Sequence, residues 1–195
     1  MPSPDKPVAQ ELGWKVISSH IPFVNKRLTI RDERLSIPAE QQPIAFAYVE
    51  RAAGLIIVPV TARGEIVMIR QYRFPVDQWC LEIPAGSTGD TGEMPFEEVI
   101  RKELREEIGA TAERIESVGR FFPAPAYATE VCQVFIAWGV ELAERPEPEP
   151  TEKIQIEKVS VPEALRRAET GEIHNGACAL AILLARGPLQ AAGLL

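Results

Sequence analysis

Between Pro95 and Gly109 the chain has little freedom in its local structure. Pro95 suits the first turn of a helix, where its missing N–H costs no hydrogen bond. Phe96, Val99, Ile100, Leu104 and Ile108 recur at helical spacing, and Gly109 is placed to cap the C-terminus. The stripe predicts a helix anchored on a core. Glu103, Glu106 and Glu107 fall at i, i+3 and i+4, so their carboxylates are expected on nearly one face, opposite the stripe and turned outward. Like charges at that spacing repel one another. A hard divalent cation gives a reason to assemble them, because Mg²⁺ seeks carboxylate oxygens and often bridges them to substrate phosphates. A glycine-rich turn, Gly86-Ser-Thr-Gly-Asp-Thr-Gly92, precedes the helix.

The rest of the chain reads mostly as strands. Residues 1–12 look like a loose arm. Trp14–Ile21, Lys26–Ser36 and Ile44–Glu50 alternate well enough for strands. Leu55–Val60 and Ile66–Arg70 are apolar runs about Ala62-Arg-Gly64 and predict a hairpin in a buried sheet. Trp79–Ile83 is a further strand, ending at Pro84-Ala-Gly86. Strands are expected again at Arg114–Val118, Thr129–Leu142 and Ile154–Val161, with closing helices at Pro162–Glu169 and Cys178–Ala185. Strands before, between and after helices indicate an α+β, mixed α/β domain with helices on a mostly β core. Residues 1–50 read as an N-terminal arm with a β extension, and 51–195 as the main domain.

Composition narrows the function. A net charge of −7 without a basic stripe argues against nucleic acid as the main partner. Cys80, Cys132 and Cys178 are isolated, odd in number and set among apolar residues, which fits reduced buried thiols better than a disulfide framework or zinc site. No apolar run approaches a membrane span, and the start is unlike a signal peptide, so a cytoplasmic protein is expected. His20 and His174 stand far apart, and no Ser-His or Cys-His constellation is visible.

Gly86, Glu93 and Lys102-Glu-Leu-Arg-Glu-Glu-Ile-Gly109-Ala110 resemble the Nudix box: a glycine, a glutamate, then Arg-Glu-apolar-x-Glu-Glu-x-Gly-apolar. Ile69-Arg-Gln-Tyr-Arg73, Leu81-Glu-Ile-Pro-Ala-Gly86, Pro125 and Gly171-Glu-Ile-His-Asn175 are similar to the ADP-ribose pyrophosphatase branch of that superfamily. The likeness runs from about Trp14 to Ala185. Lys102 stands where the box has arginine, keeping the charge but losing the fork geometry. The intervals from Gly86 to Glu93 and from Glu93 to Lys102 are each one residue longer than the pattern.

The resemblance implies a Nudix fold, a mixed β-sheet core flanked by helices. It implies Mg²⁺, with Mn²⁺ as the other candidate, held by Glu103, Glu106, Glu107 and the Ala85 carbonyl. Glu106 and Glu107 are then also catalytic, with Glu152 as general base and Glu149 in reserve. Arg73, Glu82 and Pro125 match substrate-contacting segments, and Trp14 and Phe46 fall where related enzymes sandwich the adenine. Ala47 replaces a charged residue beside that aromatic, and Pro125-Ala-Tyr-Ala-Thr-Glu130 replaces Pro-Gly-Phe-Ser-Asp-Glu. The implied reaction is Mg²⁺-dependent hydrolysis of ADP-ribose, or a related nucleoside diphosphate sugar, to a nucleoside monophosphate and a sugar phosphate by a homodimer. The alternatives are GDP-mannose or another nucleotide sugar as substrate, and a catalytically weak nucleotide-binding module.

Overall fold

The computed structural model describes residues 4–90, 92 and 94–195. The chain through Ala52, together with Ala124–Glu130, forms one compact unit, and Ala53–Pro123 with Val131–Leu195 forms a second.

The first unit opens with a short helix, α1 (Pro7–Glu11), where a loose arm was expected. Pro7 has its φ preset for a first turn, and Gly13 turns the chain out of it at φ +74°. Three antiparallel strands follow in the order of the chain: β1 (Lys15–Val24), β2 (Thr29–Ser36) and β3 (Ile44–Glu50). Residues 124–130 join this sheet through Val49, which donates its N–H to Tyr127 O at 2.8 Å and accepts from Thr129 N at 2.9 Å. Charged side chains are buried in this small unit, and each is paired. Arg31 forks onto Glu50 at 2.9 and 3.1 Å, while Glu33 accepts from Ser19 and Tyr48 at 3.2 and 3.4 Å.

The second unit is built on a seven-stranded mixed sheet. Its strands are β4 (Gly54–Val60), β5 (Glu65–Arg73), β6 (Gln78–Glu82), β7 (Ala85–Ser87), β9 (Arg114–Phe121), β10 (Cys132–Trp138) and β12 (Ile154–Ser160). A separate two-stranded ladder joins β8 (Ala110–Thr111) to β11 (Glu141–Leu142). The main path runs β12-β5-β4-β10-β9, with β6 on β5 and β7 on β4, and only β4 with β10 is parallel. β4 is buried at every position, as a near-continuous apolar strand should be when both faces are covered. Its alternate residues feed two cores. Leu55 and Ile57 pack with Val99, Ile100, Leu104 and Ile108 of helix α2 (Phe96–Ile108). Ile56, Val58 and Val60 pack toward α3 (Val161–Glu169), α4 (Gly176–Leu184) and α5 (Arg186–Ala191).

Three sequence expectations need correction. Pro95 is the residue before α2 rather than within its first turn, with ψ at 143°. The hairpin expected from Leu55–Val60 and Ile66–Arg70 closes with one ladder pair, Val60 with Ile66, because that edge of β4 is next taken by β7. The long strand expected over Thr129–Leu142 is interrupted at Gly139, whose φ of +62° takes the chain out of extended geometry. No helix among the described residues is long and apolar enough to cross a membrane.

Candidate active site

The box helix is placed by its two ends. Beyond its C-terminus Gly109 adopts φ +63° and donates its N–H to Arg105 O at 2.9 Å. The Gly109 carbonyl accepts from Ala143 and Glu144, and the Glu106 carbonyl from Glu147, so the proline-rich acidic segment is tied to the helix end. Before its N-terminus the chain comes from β7, whose ladder with β4 fixes Ala85 and Gly86.

Those two residues meet the helix. A Cβ on Gly86 would lie 2.4 Å from Glu103 Cγ and 2.6 Å from its Cδ and Oε1, so only glycine leaves room for that carboxylate. The Ala85 N–H donates to Glu107 Oε2 at 3.2 Å. The outward acidic face expected from the sequence is therefore corrected: Glu107 is 3% exposed and the Glu103 side chain 15%. Residues 103 and 107 border the apolar stripe closely enough for the β4–β7 layer to cover them. Burial pushes the Glu103 carboxyl up to about 7 against the pull of Lys102, with Glu106, Glu152 and Glu149 adding to the rise. Burial also holds Glu107 well above the ordinary carboxylate range, helped by Glu103 and Glu152.

Glu106 does not join them. Its carboxylate pairs with Lys102 Nζ at 2.6 Å, an i,i+4 bridge on the exposed side of the helix. Among the described residues no three His, Cys, Asp or Glu side chains are gathered into a ready ligand set. The residues nonetheless fit a divalent cation. Glu103 and Glu107 are hard oxygen donors, buried against each other's charge, and the space over Gly86 is kept for one of them.

A second cluster lies in the same unit. Arg73, ending β5, forks onto Glu82 with Nε to Oε1 at 2.8 Å and Nη2 to Oε2 at 2.6 Å. Glu82, ending β6, is 1% exposed, whereas the Arg73 side chain keeps 42% of its surface. Those hydrogen bonds hold the Arg73 pKa above its ordinary value despite the opposing cost of burial. Two residues pairwise apart along β5, Gln71 and Arg73 share a strand face; buried Gln71 Oε1 has no hydrogen-bond partner among the described residues.

The family model for the NUDIX domain matches residues 50–177. The chain belongs to the Nudix family. It is 30% identical over 177 residues to the ADP-ribose pyrophosphatase of Bacillus subtilis, covering 89% of this chain and 92% of that one. It is 29% identical over 174 residues to the ADP-ribose pyrophosphatase of Mycobacterium tuberculosis, covering 89% and 83%. Among solved structures, the crystal structure of an ADP compounds hydrolase superposes with a TM-score of 0.76 at 19% identity, over 93% of this chain and 97% of that one. The fold is the Nudix fold, and the chain is a hydrolase of that family.

Within this Nudix hydrolase the other sequence-read residues are placed as follows. Glu93 of the box lies outside the described residues. Glu152 accepts from Glu149 N at 2.9 Å in a turn, and its charge is felt at both Glu103 and Glu107. Trp14, Phe46 and Pro125 belong to the first unit. There Trp14 and Phe46, 37% and 41% exposed, line a cavity of about 610 Å³ together with Val16, Leu35, Glu33 and Lys6. Pro125 is exposed in the segment that joins β3. Sequence reasoning missed the pairing of Arg73 with Glu82, the turning of Glu106 to Lys102, and Asn175, whose Nδ2 donates to Glu82 Oε2 at 3.1 Å. In the β5–β6 ladder Glu82 stands opposite Ile69 and Arg73 opposite Gln78, so the ion pair joins residues that do not face one another and the strand pattern does not disclose it.

Proposed function

We propose that this Nudix hydrolase cleaves the diphosphate of ADP-ribose, or of a closely related nucleoside diphosphate sugar, releasing a nucleoside monophosphate and a sugar phosphate. The observation that carries the reading is the pair of buried carboxylates, Glu103 and Glu107, held against the Ala85–Gly86 turn. It is supported by likeness along nine-tenths of the chain to relatives named for ADP-ribose. In this reading Glu103, Glu107, Glu106 and the Ala85 carbonyl hold Mg²⁺, with Mn²⁺ as an alternative, and Glu106 leaves Lys102 to do so. Bound there, the ion would neutralise charge on the diphosphate and ease the attack of water on phosphorus. Glu152 takes the proton of the attacking water, from a segment tied to the end of α2 on one side and running into β12 on the other. Arg73 offers donors to the diphosphate, Glu82 holds Arg73, and Pro125 borders the substrate. Trp14 and Phe46 stack on the base at the cavity they line. The enzyme works as a cytoplasmic homodimer, with residues 1–50 as the dimerising part.

The test is formation of AMP from ADP-ribose with Mg²⁺, beside EDTA and GDP-mannose reactions at equal concentration. Fast, EDTA-sensitive release of AMP is the expected result. Turnover of GDP-mannose alone would discard the adenine assignment and keep the carboxylate site. In the same assay E107Q is expected to lose at least about 100-fold in kcat, the scale of removing one stabilising group from a transition state. An E107Q enzyme as fast as wild type would remove the metal role of Glu107.

A further inference from the structure

We propose that Asn175 is a positioning residue for Arg73, acting through the buried carboxylate of Glu82. The inference rests on the reading of Arg73 as a contact for the substrate diphosphate.

Asn175 is the N-cap of α4, and its Oδ1 accepts from Ala177 N at 3.1 Å and Cys178 N at 3.4 Å. Two backbone donors on one side fix the orientation of the amide, because only the oxygen can accept them. Its Nδ2 is thereby turned to Glu82 Oε2, at 3.1 Å. The same helix end makes a second contact with this stretch of chain, where the Cys178 thiol donates to Ile83 O at 3.8 Å. The first turn of a well-packed helix thus grips Glu82, and Glu82 grips two of the three guanidinium nitrogens of Arg73. Nη1 is left outside the pair on a side chain with 42% of its surface open.

Without Asn175 the Glu82 carboxylate would be held by Arg73 alone, and the two could swing together about their own side-chain torsions. An arginine that must meet a diphosphate in one orientation gains from a partner that does not move. The arrangement also couples two duties in one side chain. The oxygen of Asn175 starts a helix, and its nitrogen orients an ion pair whose arginine faces solvent. Helix capping alone needs only the oxygen, which serine supplies as well.

The experiment compares wild type, N175S, R73A and the double variant in kcat and KM for ADP-ribose at saturating Mg²⁺, or for GDP-mannose if that is the faster substrate. N175S keeps a capping oxygen but loses the amide donor. It is expected to raise KM about tenfold, the scale of one hydrogen bond to a charged group, with a smaller change in kcat. In the R73A background N175S is expected to add no further rise in KM, because the residue through which it acts is gone. Asn175→Asp, which keeps length and cap but sets a second carboxylate on Glu82, is expected to raise KM more than N175S does. KM effects of N175S and R73A that multiply would overturn the relay, and so would an N175S or N175D enzyme with unchanged KM beside an impaired R73A. An R73A enzyme with wild-type KM would instead remove the reading of Arg73, and the relay with it.

Discussion

Gly86 carries a tight steric constraint at the site. In G86A the added methyl would stand 2.4 Å from Glu103 Cγ and 2.6 Å from its Cδ and Oε1. The carboxylate must then be displaced or the turn must open. The expected outcome is a loss of about 1–3 kcal/mol in stability, as for other overpacked sites, with a weaker Mg²⁺ requirement curve. Urea titration and an Mg²⁺ titration of activity check the two parts. The buried glutamates also predict how the metal-free protein responds to pH. The Glu103 value in the fold is about 7 against an ordinary 4.5, and Glu107 is raised as well. Groups raised in this way stabilise fully below the unfolded value and lose that contribution as pH rises through the folded one. In EDTA the protein is therefore expected to unfold more easily at pH 8 than at pH 5, by on the order of 3 kcal/mol for Glu103 alone. Chemical denaturation at the two pH values measures this, and a flat or inverted profile would refute it. Such residues were only partly legible beforehand. The spacing of Glu103 and Glu107 pointed to a cation, but their burial depends on a β4–β7 layer that no helical pattern reveals.

At the scale of elements, α2 was read almost to the residue, because five apolar positions and a terminal glycine all agree. The C-terminal glycine has a second duty that the pattern did not disclose. A Cβ on Gly109 would stand 2.1 Å from Glu144 O, where the acidic segment crosses the helix end. G109A is expected to cost more than the 1–2 kcal/mol of a left-handed non-glycine residue, since the clash with backbone adds to it. It is also expected to lower kcat, by loosening the segment that carries Glu152. Thermal unfolding and steady-state rates check both, and an unfolding midpoint within a degree of wild type would contradict the packing argument. Short elements escaped the sequence reading for a different reason. α1, α5 and β7 have too few residues to establish a period, and their positions are set by neighbours rather than by their own composition.

For the molecule as a whole, the second unit holds Cys80, Cys132 and Cys178, all reduced and buried. Burial raises the Cys178 thiol far above its ordinary value and raises Cys80 too, so neither offers a thiolate near neutral pH. A thiol reagent is expected to leave the native protein almost unlabelled and to modify all three sites in denaturant. Rapid native labelling would contradict the packing around α4. The class of fold was legible because apolar strands and amphipathic helices alternate along the chain. The division into units was not fully so, since residues 124–130 look like a loop inside the main domain and yet belong with the first three strands.

That excursion has a consequence for how the protein is made. When Ala52 leaves the ribosome, every residue of β1, β2 and β3 has been synthesised, yet Val49 still has neither of its partners. Tyr127 and Thr129 arrive only after the first six strands of the other unit have been translated. The edge of β3 must wait, open, for a strap encoded far downstream. The N-terminal unit is first in the message but cannot close until the box helix of the other unit has been made.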